Sequence, residues 1–329
     1  MKNIAVIGAG SWGTTLASLL ADKGNNVSLW VYEEDLAEEI NKSGTNFKYL
    51  PGFVLPGTLM ASSDIKEVLD GAKYVVNVVP TQHTRRVFET AHSFISDDAL
   101  IVNASKGIEK ETLLTVSGIL EELTGKEVAV LSGPSFAKEV IEKRPTAVTL
   151  ASRNRDEGPE LQKLFSTEYF RVYTNMDIVG AELGGALKNV MAIASGISDG
   201  LDLGSSTRAA LITRGLAEMT RMGVAMGADE KTFGGLSGIG DLVLTCTGTL
   251  SRNYTVGFKL GQGQSLEDIL ANMSMVAEGV ATSESAYELS RKHKVEMPII
   301  EQIYEVIRNG KEPVNAVKEL MTRSLKSEY

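Results

Sequence analysis

A chain of 329 residues, 43% hydrophobic and 23% charged, has the composition of a globular protein and the length of two domains. Its formal net charge of -9 excludes a nucleic-acid or anionic-membrane binder on charge grounds, so any anionic ligand needs a local cluster of cations. The single cysteine, Cys246, excludes an intrachain disulfide, points to a reducing compartment and reads as a small buried hydrophobe. The apolar run in "MKNIAVIGAG" is short for a signal peptide, and no stretch reaches the length of a membrane span. The expectation is a cytoplasmic protein without membrane insertion.

In chain order, short Val/Ile-rich runs alternate with helical patterns. Strands are predicted at "NIAVIG" from Asn3, "NVSLWVY" from Asn26, "KYVVNVVP" from Lys73, "ALIVNAS" from Ala99 and "EVAVLSG" from Glu127. Two more follow at "TAVTLAS" from Thr146 and "FRVYTN" from Phe170. Near-continuous apolar strands separated by helices imply a parallel sheet covered on both faces. The stretch Ser43 to Ser62, with Pro51 and Pro56, reads as a long loop framing a ligand. From Asp177 the pattern is helical, with helices predicted near 177–198, 205–223, 266–272, 281–292 and 299–309, joined by Gly-rich segments such as "FGGLSGIGD". The fold class is therefore an α/β Rossmann-like domain over 1–176 followed by an all-α domain over 177–329.

Gly8-Ala9-Gly10-Ser11-Trp12-Gly13 matches G-x-G-x-x-G between a strand and an amphipathic helix. Gly8 makes the tight turn, Gly10 lets the backbone approach a pyrophosphate, and Gly13 lets the helix pack on the strand. Main-chain N–H groups and the positive helix end then face the anion. The second strand runs out at "LWVYEED", with Glu33 and Glu34 beyond the place of a ribose-binding acid and no cation nearby in sequence, which favours NAD. Tyr32 is either an adenine-stacking ring or a half-buried strand-end aromatic.

Lys106, in "VNASKGIE", follows a strand whose carboxyl end faces the ligand crevice. Gly133-Pro134-Ser135 is read as opening a helix there, with donors from Gly133 and Ser135. In the helical half, Ser251, Arg252 and Asn253 combine a hydroxyl, a guanidinium and a carboxamide suited to a phosphate, while on the triplet alone simple N-capping by Ser251 or Asn253 is the better explanation. Lys188 lies in "GGALKNVMAIA", where Gly184, Gly185, Ala181, Ala192 and Ser195 share its helix face and leave room for a small substrate. By periodicity alone a solvated lysine whose stem lies along these apolar neighbours is the simpler reading, whereas desolvation on such a face would disfavour the charged form and suit it to proton transfer. His83 is read in a loop, and His92 and His293 in polar helical settings with no acid or cysteine at ligand spacing, so no metal site is expected.

The stretches "GAGSWGTTLA", "NASKGIE", "LSGPSFAKEV", "ELGGALKNVMAIASGISDGL", "GLSGIGDLVLTC", "SRNYTVG" and "VAEGVAT" together resemble the bacterial NAD(P)-dependent sn-glycerol-3-phosphate dehydrogenase family. That resemblance implies reduction of dihydroxyacetone phosphate to sn-glycerol 3-phosphate for phospholipid synthesis, by a homodimer using NAD(P)H. It also implies nucleotide contacts at Ser11, Trp12, Tyr32, Lys106, Ala137, Arg252, Val276 and Glu278, although Glu278 is also explicable as a helix N-terminal acid. Lys106, Gly133, Ser135, Lys188, Asp241, Ser251, Arg252 and Asn253 would surround the three-carbon phosphorylated substrate, with Lys188 as acid/base. The family often has arginine or histidine where this chain has Tyr32, which leaves NADH versus NADPH open. Two rivals remain: a 3-hydroxy acid dehydrogenase, which needs a carboxylate anchor, and a nucleotide sensor, which has no use for Lys106, Lys188 and Arg252 together.

Overall fold

The computed structural model describes residues 1–273, 276–325, 327 and 328. The chain divides into two compact units, one of Met1–Gly107 with Leu114–Glu182, the other of Ile108–Leu113 with the chain from Leu183 onward.

In the first unit the apolar runs become an eight-stranded sheet: β1 (Asn3–Ile7), β2 (Asn26–Trp30), β3 (Leu59–Ser62), β4 (Tyr74–Asn77), β5 (Leu100–Asn103), β6 (Val128–Ser132), β7 (Thr146–Ala151) and β8 (Phe170–Asn175). Their spatial order is β3-β2-β1-β4-β5-β6-β7-β8. Alternate residues of β1 serve the two faces. Ile4 and Val6 pack with Leu16, Leu19 and Leu20 of the helix Ser11–Asp22. Ala5 and Ile7 pack with Phe88 and Ala91 of the helix Thr81–Ala91. A sheet covered on both faces accounts for strands that are apolar at every position.

Three features depart from the sequence reading. β3 lies inside the stretch read as a loop and pairs with β2 in parallel, Val27 opposite Leu59 and Trp30 opposite Ser62. Four residues at a sheet edge, with Met60 59% exposed, carry too little pattern to be recognised. β7 runs antiparallel to β6, because a connection containing only the short helix Ala137–Ile141 turns the chain back instead of crossing over. That helix begins at Ala137, after rather than at Gly133-Pro134-Ser135.

In the second unit every described element is helical. The helix Ile178–Gly200 starts in the first unit and is buried at every position from 180 to 198, as expected of an apolar helix without a polar face. The remaining helices include Gly204–Ala225, Asp241–Thr247, Arg252–Gly261, Glu278–His293, Pro298–Asn309 and Pro313–Met321. Those at 241–247 and 313–321 are short, and the sequence pattern did not resolve them, whereas the helix at 252–261 follows the cap anticipated at Ser251. The glycine-rich joint adopts a π-helical turn, Leu236–Gly240. Among the described residues no helix is long and apolar enough to cross a membrane.

Candidate active site

In the first unit the fingerprint lies between β1 and the helix Ser11–Asp22. Gly8 has φ +115°, a conformation L side chains rarely adopt, and a Cβ there would meet the Val78 carbonyl at 2.9 Å. A Cβ on Gly13 would fall 1.8 Å from the Gly8 carbonyl oxygen, so the helix rests directly on the turn. Gly10 has no heavy atom within 4 Å of where a Cβ would lie, an open cradle at a helix N-terminus. Trp12 packs its ring toward Phe170 at 6.4 Å, while its buried Nε1 has no hydrogen-bond partner among the described residues. The open cradle, the helix N-terminus and the orphaned indole donor fit a dinucleotide. The fingerprint turn has a clamp that the sequence did not reveal: buried Asn46 donates to the Ala9 carbonyl at 2.9 Å and to Thr14 Oγ1 at 2.8 Å. It comes from the stretch read as a ligand-framing loop, and no local pattern marks it.

Lys106 Nζ donates to the Gly133 carbonyl at 2.9 Å, and Ser135 Oγ donates to the same oxygen at 3.1 Å. Three sequence-selected residues therefore meet at the ends of β5 and β6. Gly133 has φ +137° and its Cβ position lies 3.0 Å from Val148 Cα, so backbone conformation and packing both demand glycine. Ala137 accepts a hydrogen bond from Thr15 Oγ1 at 3.3 Å through its carbonyl. Beneath the Lys106 turn runs a buried polar chain. Asn77 Nδ2 donates to Asn103 Oδ1 at 3.0 Å, and Asn103 Nδ2 to Glu182 Oε1 at 3.0 Å. Ser117 N also donates to Glu182 Oε1, at 2.9 Å. Burial pushes the Glu182 carboxyl up, against the hydrogen bonds from Ser117, Thr115 and Asn103.

In the second unit Lys188 is 7% exposed, and its Nζ lies 2.8 Å from Asp241 Oδ1 and 2.6 Å from Thr245 Oγ1. Thr245 Oγ1 in turn donates to the Asp241 carbonyl at 2.6 Å. The lysine on the face anticipated as apolar thus meets a carboxylate from the helix Asp241–Thr247, since a buried ammonium needs a partner. Thr245 was not singled out from the sequence, because threonine three to four residues along a short helix carries no signal.

The small residues near Lys188 have packing duties of their own. A Cβ on Gly184 would fall 2.2 Å from the Ser237 carbonyl oxygen, so that glycine admits a neighbouring backbone and leaves no substrate space. Ala181 belongs to a cluster with Val130, Ala151 and Ile178, and Ser195 Oγ donates to the Cys246 carbonyl at 2.9 Å.

The helices Ile178–Gly200 and Arg252–Gly261 cross at backbone contact: Cβ atoms on Gly196 and Gly257 would fall 2.1 Å from Tyr254 O and 2.0 Å from Ile193 O. That crossing sets Asn253 against Asn189, whose Oδ1 accepts from Asn253 Nδ2 at 2.9 Å. Asn253 Oδ1 accepts from the Gly279 N–H at 2.9 Å, at the start of the helix Glu278–His293. Ser251 caps its own helix, accepting from Tyr254 N at 3.2 Å, as the capping alternative anticipated. Arg252 is exposed and its Nη1 donates to the Val276 carbonyl at 3.0 Å, while Glu278 occupies the first turn of the helix Glu278–His293.

His83 lies on the helix Thr81–Ala91 rather than in a loop, because that helix begins directly after Pro80. Among the described residues no group of three or more His, Cys, Asp or Glu is placed to hold a metal ion.

Comparison with known proteins covers both units. Residues 3–158 match the family model for the NAD-dependent glycerol-3-phosphate dehydrogenase N-terminus, and residues 177–318 match the model for its C-terminus. The chain is 57% identical to a glycerol-3-phosphate dehydrogenase [NAD(P)+] of Citrifermentans bemidjiense, over 99% of both chains. Its fold is similar to the crystal structure of glycerol-3-phosphate dehydrogenase from Coxiella burnetii, with TM-score 0.94 and 42% identity over 97% of this chain and 98% of that one. It is also similar to the enzyme of Saccharomyces cerevisiae, with TM-score 0.85 and 27% identity over 98% and 99% of the two chains. With an NAD(P)-binding fold and both family models matched in order, the chain belongs to the NAD-dependent glycerol-3-phosphate dehydrogenase family.

Proposed function

We propose that this enzyme interconverts dihydroxyacetone phosphate and sn-glycerol 3-phosphate with NAD(P)(H), supplying glycerol 3-phosphate for phospholipid synthesis. The observation that carries this reading is the buried Lys188–Asp241–Thr245 cluster in a chain that also has a dinucleotide cradle. The nicotinamide cofactor, when bound, supplies the hydride.

Reduction of a ketone leaves negative charge on its oxygen, which demands a positioned proton donor. Lys188 supplies the proton from Nζ in the reductive direction and accepts one in the other. Asp241 and Thr245 aim the ammonium and offset its burial. Ser251, Arg252 and Asn253 hold phosphate and hydroxyl groups, as do Lys106, Gly133 and Ser135. The nucleotide is contacted by the fingerprint Gly8, Gly10, Ser11, Trp12 and Gly13, by Tyr32, Lys106 and Ala137, and by Arg252, Val276 and Glu278. We assign residues 1–176 to nucleotide binding and 177–329 to substrate binding and catalysis. A homodimer in the cytoplasm is the state we infer, the latter supported by the single cysteine.

Lys188→Ala is expected to lower kcat with dihydroxyacetone phosphate by about 10²- to 10⁴-fold. Because it strands a buried carboxylate, at a cost of about 3–5 kcal/mol, the assay is run at a temperature where circular dichroism shows both proteins folded. Near wild-type turnover by the folded variant eliminates the acid/base role.

A further inference from the structure

The carboxyl end of β1 carries the glycine fingerprint, and β1 lies between β2 and β4. Tyr32 follows β2, and the helix Thr81–Ala91 follows β4, so both emerge at the edge where an adenosine ribose sits in a fold of this kind. Tyr32 is 68% exposed. Its ring stands edge-on to Trp30, with centroids 6.2 Å apart at 73°, and Trp30 is fixed by a hydrogen bond from Nε1 to the Ser63 carbonyl at 3.0 Å. Arg86 reaches over from the helix, with Nη2 3.5 Å from Tyr32 Oη. That contact is long and leaves the guanidinium with donors to spare. No carboxylate among the described residues pairs with Arg86, whereas its neighbour Arg85 is held by Glu122 at 2.7 Å. An ordinary surface arginine explains the exposure of Arg86 but not its extension toward the ribose edge.

Glu33, the acid that follows Tyr32, is committed elsewhere. Glu33 Oε1 accepts from Tyr49 Oη at 2.6 Å and from Lys48 Nζ at 2.9 Å. Burial opposes ionisation of Glu33, yet the hydrogen bonds from Tyr49 and Lys48 outweigh it and hold the carboxyl below its usual range. A carboxylate free to chelate a ribose diol would repel a phosphate at the same place, and here its charge is offset by Lys48.

We propose that Arg86 and Tyr32 form a subsite for the 2′-phosphate of NADP(H), so that this chain prefers NADPH to NADH. The subsite rests on the reading of this unit as a dinucleotide-binding fold. A guanidinium fork and a phenolic hydroxyl offer converging donors to a dianion, and the ribose diol of NADH presents no charge to them. The proposal reverses the preference suggested by the sequence, where Arg86 stands 54 residues from Tyr32 and is invisible as its neighbour.

Calorimetric titration with 2′,5′-ADP and with 5′-ADP reads the subsite without turnover. The wild-type enzyme is expected to bind 2′,5′-ADP about tenfold to a hundredfold more tightly, the range of a charge-assisted hydrogen bond. Arg86→Ala removes that difference and raises the ratio of KM for NADPH to KM for NADH by about tenfold or more. Arg86→Lys, a point charge without the fork, retains part of it. Equal wild-type affinity for the two nucleotides, or a difference that survives Arg86→Ala, overturns the subsite. Failure to bind either nucleotide overturns the dinucleotide reading with it. Selective 2′,5′-ADP binding without turnover of dihydroxyacetone phosphate supports the subsite and removes only the proposed reaction.

Discussion

Cys246 is 1% exposed and accepts a hydrogen bond through its carbonyl from Ser195. Burial pushes its thiol up to about 12, outweighing the Lys188 charge that favours the thiolate, with Asp241 acting in the same direction as burial. A thiol without thiolate character and without access is inert, whatever cation lies near it. Native enzyme is therefore expected to give no fast reaction with a chromogenic disulfide reagent, and one equivalent after denaturation in guanidinium. Rapid labelling of the native protein at neutral pH contradicts this placement. Lys188 shows the same logic in a charged group: what surrounds the side chain, rather than its position on a helical wheel, decides what it does. The wheel puts Gly184 near it, but the space a glycine leaves is filled by the Ser237 carbonyl.

At the scale of elements, polar side chains buried on one helix fix the start of another. Glu218, on the helix Gly204–Ala225, accepts from Ile299 N at 2.8 Å and Ile300 N at 3.3 Å, satisfying two of the orphan donors at the start of the helix Pro298–Asn309. Burial pushes its carboxyl up to about 7, although the two N–H groups, Arg221 and Arg323 all act to lower it. The folded state therefore holds a proton that the unfolded chain, with an ordinary value of 4.5, has lost between those pH values. The stability this proton contributes is present below 4.5 and is lost as pH rises toward about 7. The loss is on the order of 3 kcal/mol for such a shift. Glu218→Gln keeps an acceptor and loses the titration. Urea midpoints measured from pH 5 to pH 8 are expected to fall for the wild type and to stay flatter for the variant. Parallel curves for the two proteins count against this account.

For the whole molecule, the division into two units falls within one continuous helix, Ile178–Gly200, which carries both Glu182 and Lys188. A nucleotide that binds only the folded form adds its binding free energy to stability by mass action. The preferred reduced nucleotide at about 100 times its Kd is expected to raise the unfolding free energy by about 2.7 kcal/mol, read as an upward shift in a calorimetric scan. No shift at saturation shows that the glycine cradle does not hold the nucleotide. Electrostatics at this scale only permit such binding. A chain of net charge -9 binds an anion through local donors, and Lys106, Arg86 and the helix N-terminus at the fingerprint are local.

The sequence by itself determined the two kinds of architecture, because a strand buried on both faces must be apolar throughout and a buried helix must lack a polar face. It also determined the fingerprint turn, where backbone conformation and contact demand glycine at Gly8 and contact demands it at Gly13, all within six consecutive residues. Those constraints are local, so they are written locally. The edge strand β3, the reversal at β7 and the helices Asp241–Thr247 and Pro313–Met321 were not legible, since a short element with a mixed pattern carries little periodicity and its pairing is settled by neighbours far along the chain. Tertiary structure alone decided the partners. Asn46 reaches the fingerprint from 37 residues away, and Thr245 reaches Lys188 from 57. Arg86 reaches Tyr32 in the same way. Each of these polar pairings depends on where the chain returns in space, and a one-dimensional pattern of hydrophobicity does not encode that return.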